Sequence, residues 1–89
     1  MQWDEVRKND TYVLMNNPLN IVIHKSYGSD SWHLTCKSLY IREEELNTDV
    51  FNEAVKRAQV LIMEKSNELY EAAVGFVKNI YDKNEFLPR

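Results

Sequence analysis

The chain has 89 residues, 44% hydrophobic and 28% charged, enough for one modest core and no second domain. Two glycines and two prolines exclude a flexible linker, a collagen-like repeat and a low-complexity tail, and the apolar content excludes intrinsic disorder. A net charge of -3 and a pI of about 5.3 argue against duplex DNA as a partner, because phosphate neutralisation needs a basic excess.

Trp3 to Lys8 carries an apolar pair, Trp3 and Val6, at the spacing of one helical turn. Tyr12 to Met15 is a short β-prone run closed by Asn16-Asn17-Pro18, where asparagine tolerates turn geometry and proline lacks a ladder donor. Leu19 to Tyr27 alternates: Leu19, Ile21, Ile23 and Tyr27 take one face, Val22, His24 and Ser26 the other. Gly28-Ser29-Asp30-Ser31 is a turn signal, and a hairpin closed there pairs Tyr27 with Trp32 and Ser26 with His33. Trp32, Leu34 and Cys36 then run in phase to Ile41. After Lys37-Ser38 the apolar positions become Leu39 and Ile41, a phase change that predicts a β-bulge within one strand.

Helix signals follow Arg42 to Leu46. Asn47 or Thr48 can cap the first free N–H groups, with Asp49 in the first turn, where the helix dipole favours an anion. Phe51, Ala54, Val55, Ala58, Leu61, Ile62, Leu69, Ala72, Ala73, Phe76, Val77 and Ile80 recur at helical spacing, with one polar gap at Lys65-Ser66-Asn67. The expected fold is therefore α+β: a three-stranded antiparallel meander packed on a long C-terminal helix. Residues 1–46 are mainly β, 47–82 helical and 83–89 a frayed tail.

A length mismatch dominates this reading. A helix of about 34 residues is roughly 50 Å long, whereas a strand of about eight residues covers about 27 Å. Two arrangements bury the remaining stripe: a second chain, or a turn near Ser66 that folds the segment back as a helical hairpin. No glycine or proline stands at the gap, which favours a continuous helix and a homodimer through Leu69, Ala72, Ala73, Phe76 and Ile80. Gly75 either permits close helix approach or is merely tolerated.

The chemistry-bearing residues are few. His24 and His33 fall on the non-core face without a third ligand in phase, so no metal or other cofactor is expected. Cys36, the only cysteine, shares the apolar phase and reads as an inert buried thiol. Glu43, Glu44, Glu45 and Asp49 read as an acidic, partner-facing patch or as solvated residues, since adjacent carboxylates diverge too much for acid–base chemistry. Tyr27 and Trp32 at the hairpin tip either form a protein-binding hot spot or cover the end of the core. No catalytic motif is present and no turnover is expected. The charged N-terminus lacks a signal-peptide core, and no aliphatic run approaches the roughly 20 residues that span a bilayer, so no membrane association is expected.

Trp3, Ile21-Val22-Ile23-His24-Lys25 before a turn, Trp32-His33-Leu34-Thr35-Cys36, Leu39-Tyr40-Ile41, and Leu46 ahead of Glu53-Ala54 and Ala58 give residues 3–60 a pattern that resembles small phage and prophage accessory proteins. The resemblance implies a non-enzymatic inhibitor, cytoplasmic in a bacterial host cell, that occupies a host or defence protein such as a CRISPR effector. The alternative is a small nucleic-acid-binding transcriptional regulator, which would need Lys25, Lys37, Lys56 and Arg57 gathered on one face.

Overall fold

Five short strands, rather than three, form one antiparallel sheet in the computed structural model, which describes the backbone of residues 1–83 and the side chains of residues 1–78. They are β1 (Trp3–Arg7), β2 (Thr11–Leu14), β3 (Val22–Lys25), β4 (Trp32–Cys36) and β5 (Ile41–Glu45), hydrogen-bonded in sequence order as a meander. One helix, α1 (Phe51–Lys83), crosses one face of the sheet and continues past it. The α+β class and the antiparallel meander agree with the sequence; the strand count does not.

Two corrections account for the extra strands. Trp3 to Lys8 contains a strand instead of a helical turn, because Asn9 takes a left-handed φ of 54° and lets the chain reverse onto β2. The Glu5 carboxylate then accepts from the Asn9 N–H at 2.9 Å and the Tyr12 hydroxyl at 2.6 Å. The Asn9 contact first, then the Tyr12 contact, holds the Glu5 carboxyl below its ordinary value, and the hydrogen bond to Glu5 pushes the Tyr12 phenol up. The second correction lies between Trp32 and Ile41, where one bulged strand was expected. Lys37–Leu39 instead form a 3-10 turn closed by Tyr40 at φ 60°, and the chain reverses so that Cys36 pairs with Ile41. Glu43 to Glu45 thereby become an edge strand. Asparagine does the work that glycine usually does in these turns: Asn9, Asn16, Asn20 and Asn47 all adopt positive φ.

Strand register places Tyr12, Ile23 and Leu34 side by side, with Lys25 beside Trp32. This face is covered by α1. Ile23, Leu34 and Cys36 are fully buried, together with Leu46 and Ala54 or nearly so, and Val55 and Ala58 complete the contact. Each fully buried Leu or Ile contributes about 1.5–3 kcal/mol relative to exposure. Phe51 docks the start of the helix in an aromatic cluster, its ring 4.6 Å from Tyr12, 5.2 Å from Trp32 and 5.6 Å from Trp3 between centroids. The helix begins later than its cap candidates suggested: Asn47 is left-handed, Thr48 Oγ1 accepts from the Val50 N–H at 3.1 Å, and Asp49 precedes the first turn.

The polar gap at Lys65-Ser66-Asn67 does not interrupt α1. Lys65 and Ser66 stay half-buried at the sheet margin, and Leu69 still packs against the core. Every side chain from Tyr70 to Lys78 is exposed. The side chain of Ile80 and the tail at 84–89 lie outside the described residues.

A Cβ on Gly75 would meet nothing within 4 Å, so Gly75→Ala removes only the helix-propensity penalty. It should raise the unfolding free energy by about 1 kcal/mol in a denaturant titration; a loss of stability would show another chain packed on that position. Cys36 is fully buried, with its thiol directed at the Leu19 carbonyl at 3.4 Å. A thiol reagent should label it slowly in the native protein and quickly in denaturant, whereas fast native labelling would contradict the strand phase.

Candidate functional site

The face of the sheet turned away from α1 carries a row formed by Thr11, His24, His33 and Glu45 across four strands. His24 lies directly opposite His33, two residues from the register that a Tyr27–Trp32 pair would have set. Their rings stack at 6.1 Å between centroids with planes 26° apart. Thr35 Oγ1 accepts the Glu43 N–H at 3.1 Å, leaving its hydroxyl proton free to be donated to His24 Nε2 at 2.8 Å. That arrangement assigns the His24 proton to Nδ1, which faces the Lys25 carbonyl at 3.3 Å. His33 was expected at the surface but is buried. Its Nδ1 lies 3.1 Å from the Ser31 carbonyl and its Nε2 3.8 Å from the Glu45 carboxylate.

These partners make the histidine pair a structural network across three strands. Among the described residues, no group of three or more His, Cys, Asp and Glu side chains is arranged to hold a metal ion. Cys36 lies on the opposite side of β4, beneath the helix, with its thiol directed at the Leu19 carbonyl.

The acidic run is split by the pleat. Glu44 pairs with Leu34 and so takes the helix side of β5, where it lines a cleft of about 320 Å³ with Tyr40, Ile41, Arg42, Leu61 and Lys65. Glu45 pairs with His33 and takes the opposite side, while Glu43 sits at a kink with φ 45°. All three are exposed on the outermost strand, and Asp49 is exposed in the connection to α1. Charge and the kink together discourage another strand from pairing with this edge.

Tyr27 and Trp32 are not brought together. Tyr27 is fully exposed in the β3–β4 turn, where Gly28 supplies φ 77° and the Ser29 N–H bonds the Ser26 carbonyl. Trp32 is buried, which corrects its assignment as an exposed hot spot. Its indole N–H donates to the Asp49 carbonyl at 3.0 Å, and Lys25 Nζ lies 4.4 Å over its ring.

The basic residues proposed for phosphate contact are largely committed elsewhere. Arg57 donates to the Leu46 and Asn47 carbonyls at 2.8 and 2.6 Å, Lys25 is held by Trp32 and the Asp30 carbonyl, and Lys56 pairs with Glu53 at 3.6 Å.

The largest uncovered feature is on the helix. Beyond Leu69, Ala72, Ala73 and Phe76 continue the stripe that faces the sheet in the first half of α1, now with no sheet beneath them. The sequence pointed to this stripe. It did not single out Tyr70 and Val74, which are also exposed, although their spacing from Met63 and Val77 was readable. No helix among the described residues is long and apolar enough to cross a membrane. No protein family, curated protein or solved structure matches this chain.

Proposed function

We propose that this chain is a non-enzymatic, protein-binding accessory protein that works as a homodimer. The observation that carries the reading is the bare apolar end of α1, where Phe76 is 68% exposed. Burying this surface would remove from water the apolar area that the fold itself leaves exposed. A second copy is the natural cover, joined through Leu69, Ala72, Ala73 and Phe76 with the Ile80 position continuing the stripe.

Dimerisation through the helix leaves the sheet and β5 free for a target. Glu43, Glu44 and Glu45 on that edge, with Asp49 nearby, offer negative charge to a basic site on a host or defence protein. The sequence resemblance adds the more specific reading, a phage-encoded inhibitor acting inside a bacterial cell, with a CRISPR effector as one such target. In that role the carboxylates occupy a groove that otherwise receives phosphate. The engagement of Lys25, Lys56 and Arg57 within the fold weighs against the nucleic-acid-binding alternative.

Phe76→Glu should lower the solution mass to that of one chain while the sheet keeps its fold, because the ring makes no contact with the core cluster. A wild-type mass of one chain across micromolar concentrations would end the dimer reading. With a target captured from a bacterial lysate, Glu43→Lys with Glu44→Lys should weaken binding at least tenfold and flatten its salt dependence. His24→Ala is the comparison for the opposite sheet face, since His33 is buried and its removal would disturb the fold. Loss of binding with His24→Ala but not with the glutamate reversals would move the target surface to that face.

A further inference from the structure

Of the six non-glycine residues that hold a left-handed φ among the described residues, Asn9, Asn16, Asn20 and Asn47 are the type that tolerates it best after glycine. The exceptions are Glu43 at 45° and Tyr40 at 60°. Glu43 has a local reason, since its N–H is held by Thr35 Oγ1 at the kink. Tyr40 has none. Its N–H closes the 3-10 turn onto the Lys37 carbonyl at 3.0 Å, a bond that asparagine or glycine would make as well with less backbone strain. The ring does not offset that strain within the fold, because it is 80% exposed and outside the core cluster. It borders the cleft between β5 and α1 instead. Backbone strain of this kind clusters at ligand sites.

The cleft of about 320 Å³ combines buried Ile41 and half-buried Leu61 with Tyr40, Arg42, Glu44 and Lys65. Lys65 is engaged by Glu68 at 3.6 Å, whereas Arg42 and Glu44 have no ion-pair partner among the described residues. We propose that this cleft binds a free α-amino acid with an apolar side chain. Arg42 takes the carboxylate, Glu44 takes the ammonium, and the side chain covers Ile41 and Leu61 beside the Tyr40 ring. Charge complementarity identifies the class. A simple cation is opposed by Arg42 and a simple anion by Glu44, whereas a zwitterion satisfies both through charge-assisted hydrogen bonds, and a guanidinium can hold a carboxylate by two of them. Glu44 is shared with the acidic surface offered to a target, but the site needs no residue from the overhang of α1 and does not depend on the dimer.

An amide-resolved NMR titration of the full chain with L-leucine, to tens of millimolar, provides the test. Leucine should give saturable shifts centred on Tyr40, Ile41, Glu44, Leu61 and Lys65. N-acetyl-leucine, which lacks the ammonium, and leucinamide, which lacks the carboxylate, should each bind about tenfold more weakly. Arg42→Gln should bind leucine no better than leucinamide. Tyr40→Asn should remove the leucine response and raise the denaturant midpoint, because it relieves the left-handed backbone without loss of a core contact. Shifts that do not saturate, or that centre elsewhere, would overturn the site. Equal binding of leucine and either analogue by wild type would overturn the zwitterion assignment. An unchanged leucine response in Tyr40→Asn, or a lowered midpoint, would overturn the role given to the ring.

Discussion

A helix longer than its sheet is the constraint on which the account depends. The 33 residues of α1 extend about 50 Å, whereas five strands spaced about 4.8 Å apart form a sheet roughly 20 Å across. Whatever angle the helix takes, the sheet covers only its first half. Ala54, Val55 and Ala58 are buried, Leu61, Ile62 and Leu69 are half-buried, and the side chains from Tyr70 to Lys78 are exposed. Extension of the sheet at β5 is discouraged by three exposed glutamates and a kink. Among the described residues nothing covers the end of the helix, and the proposed cover is a second copy.

The covered half depends on how firmly the helix start is fixed. Trp32 does most of this through both backbone and ring. Its N–H donates to the Thr48 carbonyl, its carbonyl accepts from the Leu46 N–H, and its indole donates to Asp49, so β4 and the connection to α1 are locked together. Phe51 then enters the cluster with Trp3, Tyr12 and Trp32, and Arg57 fastens the first turns back to the Leu46 and Asn47 carbonyls. A helix held this rigidly at one end projects its other end in a defined direction. That makes the exposed stripe a usable surface.

Much of this was readable from the sequence where one physical signal acted alone. The helix followed from spacing, its continuity through Lys65-Ser66-Asn67 was favoured over a fold-back by the lack of glycine or proline, and the burial of Leu34 and Cys36 followed from strand alternation. Reading failed where a long-range contact overrode local pattern. Trp3 to Lys8 has an apolar pair, Trp3 and Val6, at the spacing of a helical turn, yet pairing with β2 and the Glu5–Tyr12 hydrogen bond make Trp3–Arg7 a strand. The Asn9-Asp10 pair was the turn signal for that hairpin, and it carried the same left-handed tolerance that marked Asn16-Asn17-Pro18 as a turn. At Tyr40, a phase change that fits a bulge equally fits a chain reversal, and only the pairing of Cys36 with Ile41 separates them. At the candidate site, adjacency in the sequence grouped Glu43, Glu44 and Glu45 as one acidic run; strand formation sends Glu44 and Glu45 to opposite sides.

Hydrogen exchange along α1 tests the central claim most directly, because it compares the covered and uncovered halves of one helix within a single sample. If other copies enclose the overhang, amides from Tyr70 to Lys78 should be protected to a degree comparable with those from Ala58 to Ile62 at micromolar protein concentration. Exchange of the Tyr70 to Lys78 amides near the rate of an unstructured peptide, alongside full protection of the earlier turns, would show a bare helix end and contradict the account.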